Sequence, residues 1–158
     1  MLGLFKDNPV VGKASGIIQS SSDKLFDFIG NGLLDNYPRW SPEVKELEKL
    51  TDGPIEQGTF CRQVRIDQGN RSESTFKVKV FDSGMRICFE GISNPYRCDY
   101  VIETVNSSDS RLTFVFELLT LDLHVRPFEK LVRIAVQDGT ERTVKNIKKL
   151  IEAEQVDS

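Results

Sequence analysis

The stretch FCRQVRIDQGNRSESTFKVKV, residues 60–80, carries two alternating segments on either side of a turn. Phe76, Val78 and Val80 alternate with Lys77 and Lys79, the pattern of a strand with one face buried and one face wet. Upstream, Phe60, Val64 and Ile66 share one face with Arg62, and Gln63, Arg65 and Asp67 share the other. Gln68, Gly69 and Asn70 turn the chain between the two strands. The alternation assigns the Phe60 face to the interior. Arg62 then becomes the one basic residue that the pattern points inward.

The same rhythm continues in both directions. Asp82, Ser83 and Gly84 turn the chain into a strand over 85–91, and strands over 97–105 and 111–119 flank a polar turn at 106–110. On the other side, 44–50 reads as a strand, followed by a turn at 51–58 rich in Gly, Pro and Asp. A first strand is expected over 10–20, with Ile17 and Ile18 its clearest apolar pair. Ser20, Ser21 and Ser22 are N-cap candidates for a helix over 23–30, whose Leu25, Phe26, Phe28 and Ile29 gather on one side. Leu33 and Leu34 suggest a short second turn of helix. NYPRWSP, residues 36–42, is expected to be irregular because two prolines fall within five residues. Short connections without crossover helices favour antiparallel neighbours.

A long helix closes the chain, starting near Pro127, a residue suited to a first helical turn, and running to about Gln155. Val132, Val136, Val144, Ile147, Leu150 and Ile151 form its apolar stripe, with Gly139, Thr140 and Thr143 in the middle. Glycine inside a helix costs about 1 kcal/mol relative to alanine. Asp138-Gly139 reads either as a break between two helices or as a place where one helix passes over a cavity and leaves room for a guest. Phase continuity of the stripe leans towards one helix. The expected architecture is α+β: a single domain spanning 1–158, with a curved antiparallel sheet wrapped around the C-terminal helix.

Composition narrows the function. With 158 residues, 39% apolar, 28% charged and a net charge of −3, the chain is a soluble globular type with no excess of Lys and Arg to neutralise nucleic-acid phosphates. No stretch approaches a membrane span. Residues 1–11 hold Lys6, Asp7 and Pro9 where a secretory leader needs an apolar run, so a cytoplasmic location is expected. Cys61, Cys88 and Cys98 fall on separate strands without a C-x-x-C pair and read as reduced core thiols. One histidine in the chain leaves no basis for a structural zinc site, and neither metal nor cofactor is expected.

The candidate site residues follow from this layout. Tyr37 and Trp40, on the loop between helix and sheet, are placed to line an entrance. Tyr100, Phe114 and Phe116 belong to strands that face the helix, as does Val78. Gly139 and Thr143 lie opposite them. His124 stands near Asp122 before the final helix, in no recognisable arrangement for a general base. Neither G-x-S-x-G, a Walker-type glycine loop nor H-E-x-x-H occurs. Charged edge strands discourage pairing between copies.

Three segments carry a resemblance to a family. SSSDKLFDFI (20–29), NYPRWSPEV (36–44) and DGPIEQGTF (52–60), within an order of strand, two short helices, antiparallel strands and a long helix, resemble the START-like or SRPBCC superfamily. That superfamily includes the polyketide cyclase/dehydrase and lipid-transport group and the birch-pollen allergen relatives. The resemblance implies a helix-grip fold with a deep pocket between sheet and helix, holding lipids, sterols, polyketides or other apolar molecules. Tyr37, Trp40, Arg62, Val78, Tyr100, Phe114, Phe116, Gly139 and Thr143 would line it. The implied function is binding or transport of a hydrophobic small molecule or lipid. The alternative is a cyclase or dehydratase, whose enzymatic relatives often use an arginine on the inner sheet. Phe76, Val78 and Val80 of the fourth strand include none, so that alternative requires Arg62, Tyr100 and His124 to converge in one pocket. A protein-interaction role with a vestigial pocket is a third reading.

Overall fold

The computed structural model describes residues 9–156, and its register is set at the tip of the 60–80 stretch. Gln68 and Gly69 both take positive φ, 51° and 83°, as the two central residues of a tight hairpin whose twist matches its strands. The turn joins β3 (Phe60–Asp67) to β4 (Asn70–Asp82) and pairs Asp67 with Asn70. Cys61 is thereby opposite Phe76, Gln63 opposite Ser74 and Arg65 opposite Ser72. Cross-strand partners share a face, and Phe76 is fully buried in the core. The inward residues of β3 are therefore Cys61, Gln63 and Arg65. This reverses the expected face. Arg62 lies on the outer surface, 3.6 Å from Glu46 and 3.7 Å from Glu48, and also paired with Glu73. Val64 and Ile66, apolar but on the outer face, misdirected the alternation.

A second displacement occurs in β4. A bulge between Val78 and Val80 keeps Val78 inward but turns Val80 outward, opposite Cys88. Phe81 takes the inward place and meets Phe26 edge-on at 5.1 Å between ring centroids.

The remaining strands are β1 (Val10–Ile18), β2 (Val44–Lys49), β5 (Arg86–Gly91), β6 (Tyr96–Thr104) and β7 (Ser110–Leu118). All pairs are antiparallel, in the order β1-β7-β6-β5-β4-β3-β2. Between β1 and β2 run α1 (Ser22–Phe26), capped by Ser21, a π-helical turn (Asp27–Asn31) and α2 (Leu33–Trp40). Helix α2 overturns the expectation of an irregular NYPRWSP segment. Pro38 withholds one backbone donor, at a cost of about 3 kcal/mol for an interior position. Leu33, Tyr37 and Trp40, at i, i+4 and i+7, share the buried face, and each large apolar side chain buried contributes about 1.5–3 kcal/mol. Burial wins, and the helix ends just beyond the proline. Asn146 Nδ2 donates to the Trp40 carbonyl at 2.9 Å, satisfying one of the freed acceptors.

A turn of 3-10 helix (Leu123–Phe128) leads into α3 (Glu129–Val156), 28 residues without a break at Gly139 and ~40 Å long. It lies along β1 and β7. The approach is close because β1 presents Gly12 and Gly16 to it. A Cβ at Gly12 would fall 2.3 Å from Thr140 Oγ1 and 2.9 Å from Val136 Cγ1, and one at Gly16 would fall 3.0 Å from Val144 Cγ1. The helix also blunts the free edge of β1. Gln137 accepts from the Lys13 N–H at 3.0 Å and donates to the Lys13 carbonyl at 2.9 Å, as a neighbouring strand would. Lys148 donates to the Ile17 carbonyl, and Glu152 accepts from the Gln19 N–H.

The three cysteines are buried and unpaired. No described helix is long and apolar enough to cross a membrane. The leader reading of the N-terminus falls almost entirely outside the described residues.

Two glycines give opposite expectations. A Cβ at Gly139 meets only Arg142 Nη2, at 3.8 Å. Gly139→Ala is expected to stabilise the protein by about 0.5–1 kcal/mol through helix propensity. Gly12→Ala is expected to destabilise it by about 1–3 kcal/mol through overpacking. Urea-unfolding midpoints of the two variants will check the pair; equal shifts in one direction would refute the close approach at Gly12.

Candidate ligand site on the concave face of the sheet

The inward strand positions divide into a packed half and an open half. In the packed half, Phe76 stacks on Phe89 at 4.3 Å and Tyr100 on Phe114 at 4.5 Å between centroids. Helix α2 drives Tyr37 and Trp40 into this group: Tyr37 lies 5.7 Å from Phe89 and 5.5 Å from Trp40. Trp40 Nε1 donates to the Tyr100 hydroxyl at 3.3 Å, so both polar tips are satisfied out of water. Val78 is buried in the same cluster. Here the grip is filled by side chains.

The open half begins one row further along. Tyr96, opposite Leu118 on β7, lies across Gly91, where a Cβ would sit 2.5 Å from its ring. That path carries its hydroxyl over β5 to the β3–β4 pair. Gln63 Nε2 donates to Tyr96 Oη at 2.8 Å and to Ser74 Oγ at 3.3 Å. Gln63 Oε1 is buried without a partner among the described residues. Arg65, next inward on β3, donates to Tyr37 Oη at 3.4 Å and Ser41 Oγ at 3.3 Å, and holds Asp67 through two bonds of 3.2 and 3.1 Å. Phe116 stacks on Tyr96 at 6.3 Å and stays half-exposed, as does Leu118. Helix α3 packs chiefly on β1 and less on β7, the strand that carries Phe116 and Leu118. Its Gly139 and Thr143 lie on the flank where Asn146 reaches α2 and Arg142 reaches Glu43 at 3.6 Å.

Burial sets the electrostatics. It pushes the Tyr96 hydroxyl up to about 12 and the Cys61 thiol up to about 11. The Tyr37 and Tyr100 hydroxyls and the Cys98 thiol rise further for the same reason. Burial opposes the charge on Arg65, but Tyr37, Asp67 and Glu43 outweigh it and hold the guanidinium protonated. Among the described residues, Asp67 is the one carboxylate on the inward face of a strand, at the hairpin tip and bound to Arg65, and no imidazole occupies an inward strand position. No group of three or more His, Cys, Asp or Glu among them is arranged to hold a metal.

The expected site residues therefore scatter. Tyr37, Trp40, Val78, Tyr100 and Phe114 belong to the packed half. Phe116 belongs to the half-exposed row, and Gly139 and Thr143 lie on a partly buried flank of α3. Arg62 is outside, in its ion pairs. His124 is exposed on the 3-10 turn, and Asp122 precedes that turn without capping it. The convergence of Arg62, Tyr100 and His124 is not assembled. Gln63, Arg65, Ser74 and Tyr96 were missed, although hairpin arithmetic from the QG turn would have placed the first three on the same face as Phe76. A separate open cleft of about 550 Å³, between the α1–α2 segment and the end of α3, is lined by Lys24, Asp27, Asn31, Asn36 and Glu154 among others and includes no inward strand position.

The fold is shared with known structures. The ZhuI aromatase/cyclase from Streptomyces superposes with a TM-score of 0.75 at 13% identity, over 92% of this chain and 94% of that one. A START superfamily protein from Mycobacterium smegmatis gives 0.70 at 13% identity, over 90% and 97%. Norcoclaurine synthase from Thalictrum flavum gives 0.70 at 15%, over 94% and 97%. The fold is the helix-grip fold of the START-like (SRPBCC) superfamily. No protein-family model and no curated protein sequence matches the chain.

The three tyrosines make alkaline stability a test of burial. A raised native pKa means that the folded state holds the phenol proton more tightly than the unfolded chain does. The associated stability is complete below the unfolded value near 10 and falls as pH rises towards the native value, about 12 for Tyr96. Tyrosinate absorbance is expected to appear only together with loss of the helical signal. More than one tyrosine ionising near pH 10 in an intact fold would contradict the packed half, which holds Tyr37 and Tyr100.

Proposed function

We propose that the protein binds an apolar small molecule or lipid in the open half of the grip, between Phe116, Leu118 and Tyr96 on the sheet and the Gly139–Thr143 flank of α3. The observation that carries this reading is the inward row of half-exposed Phe116 and Leu118 beside Gln63 Oε1, which is buried without a partner among the described residues; on the helix, a Cβ at Gly139 would meet no other side chain than Arg142, at 3.8 Å. An aromatic wall with a few polar groups at one end is the usual make-up of a small-molecule site. Arg65 and Tyr96 supply those groups, and the apolar wall supplies the affinity. That an aromatase/cyclase and a norcoclaurine synthase share the fold supports a small organic guest.

Arg65 also favours the alternative of a cyclase or dehydratase, because it places a guanidinium on the inner sheet to polarise a carbonyl. That reading is the less supported one. Proton transfer near neutral pH works best with a group titrating there, and the inward tyrosines, thiols and guanidinium are all displaced upward.

Native mass spectrometry of the purified protein and titration with an uncharged fluorescent naphthalene probe test the binding reading. Gly139→Phe fills the space and is expected to weaken probe binding at least tenfold, about 1.4 kcal/mol, while Gly139→Ala leaves it within about twofold. Unchanged affinity in the Phe variant, or a wild type that takes up neither guest nor probe, would overturn the proposal.

A further inference from the structure

We infer that the guest of the open half is an uncharged apolar molecule carrying a hydroxyl, and that this hydroxyl pairs with the Gln63 amide. The inference rests on the ligand-binding reading for the presence of a guest, and on a separate observation for the polar group. Gln63 is 2% exposed, and its Oε1 is the one buried side-chain polar atom without a hydrogen-bond partner among the described residues. Buried acceptors are almost always paired, because burial strips away their water and gives nothing back. The other end of the amide is complete. Gln63 Nε2 donates to Tyr96 Oη at 2.8 Å and to Ser74 Oγ at 3.3 Å, which uses both amide hydrogens. The two hydroxyls lie 3.2 Å from each other and close the group. Across β2 the partner of Gln63 is Leu47, which has no side-chain donor to offer.

Exchanging the amide oxygen and nitrogen does not remove the deficit. The Tyr96 and Ser74 hydroxyls can donate to the oxygen as well as accept from the nitrogen, and the exchange then leaves the nitrogen without an acceptor. One end of the amide lacks a partner in either orientation. A hydroxyl both donates and accepts, so it completes either one, whereas a hydrocarbon completes neither. The charge of the guest follows from Arg65, the next inward residue of β3. Asp67 accepts from its Nε at 3.2 Å and from its Nη2 at 3.1 Å, while Nη1 donates to Tyr37 and Ser41. The guanidinium is already answered by a carboxylate of the same strand. An anionic guest would bring a second negative charge towards Asp67 with no surplus cation on the row, and an uncharged guest meets no such repulsion.

Calorimetric titration of the full chain at neutral pH with naphthol, methylnaphthalene and naphthoate tests the inference, because the three share one ring system and differ at one substituent. Naphthol is expected to bind at least about fivefold tighter than either of the others. Gln63→Met keeps the length of the side chain and removes the amide, and is expected to bring naphthol and methylnaphthalene within about twofold of each other. A smaller preference for naphthol over methylnaphthalene in the wild type overturns the inference and leaves the ligand reading standing; an amide already completed by a buried water gives that result. This comparison needs no variant, so it holds whether or not Gln63→Met folds. Naphthoate binding as tightly as naphthol, or tighter, also overturns the inference and makes the site one for anions. A naphthol preference that survives in Gln63→Met overturns it too, since the hydroxyl is then held elsewhere. Binding of none of the three removes the ligand reading together with the inference.

Discussion

The structure depends on how closely α3 approaches β1. Gly12 and Gly16 remove the Cβ atoms that would hold the helix away, and Val136, Thr140 and Val144 drop into the space. Because the contact is backbone-close, it fixes both the height and the lateral position of a helix ~40 Å long. The helix is drawn to the β1–β7 side, where Gln137, Lys148 and Glu152 also complete the hydrogen bonds of the edge strand. Gly139, on the same helix, has no such close neighbour: a Cβ there would lie 3.8 Å from Arg142 Nη2.

The far side of the sheet is closed differently along its length. At the α2 end, Tyr37 and Trp40 fill the concavity, and the Trp40–Tyr100 hydrogen bond lets two large amphipathic rings be buried without leaving a polar atom unpaired. At the other end, the polar row of Gln63, Ser74 and Tyr96 replaces aromatic packing, and Arg65 carries a charge held by Asp67 and Tyr37. A partly satisfied polar row beside a half-exposed aromatic is poor material for a sealed core. It suits the site proposed for an apolar guest.

Much of this was legible residue by residue. The alternation of Phe76 and Val78, the breaks at 68–70 and 82–84, and the unbroken phase of Val132, Val136, Val144, Ile147 and Ile151 are local patterns, and local patterns survive folding. The candidate site was less legible. Arg62 was placed inward because Val64 and Ile66 share its face, yet strand faces are decided by the partner strand, and the two-residue turn locks Gln63 and Arg65 to the Phe76 side. The NYPRWSP segment looked irregular because proline penalties are local, while the burial of Leu33, Tyr37 and Trp40 that overrides them is not.

By itself, then, the sequence determined the strands, their antiparallel pairing and the long closing helix, because periodicity and turn chemistry act over a few residues. Tertiary structure decided which face of β3 lines the concavity, which half of that concavity is filled, and which end stays open. Those outcomes depend on register across strands and on how near two backbones come, at Gly12 and Gly16 above all. Both are relations between residues more than a hundred positions apart in the chain or on different strands, and a pattern within one segment cannot encode them.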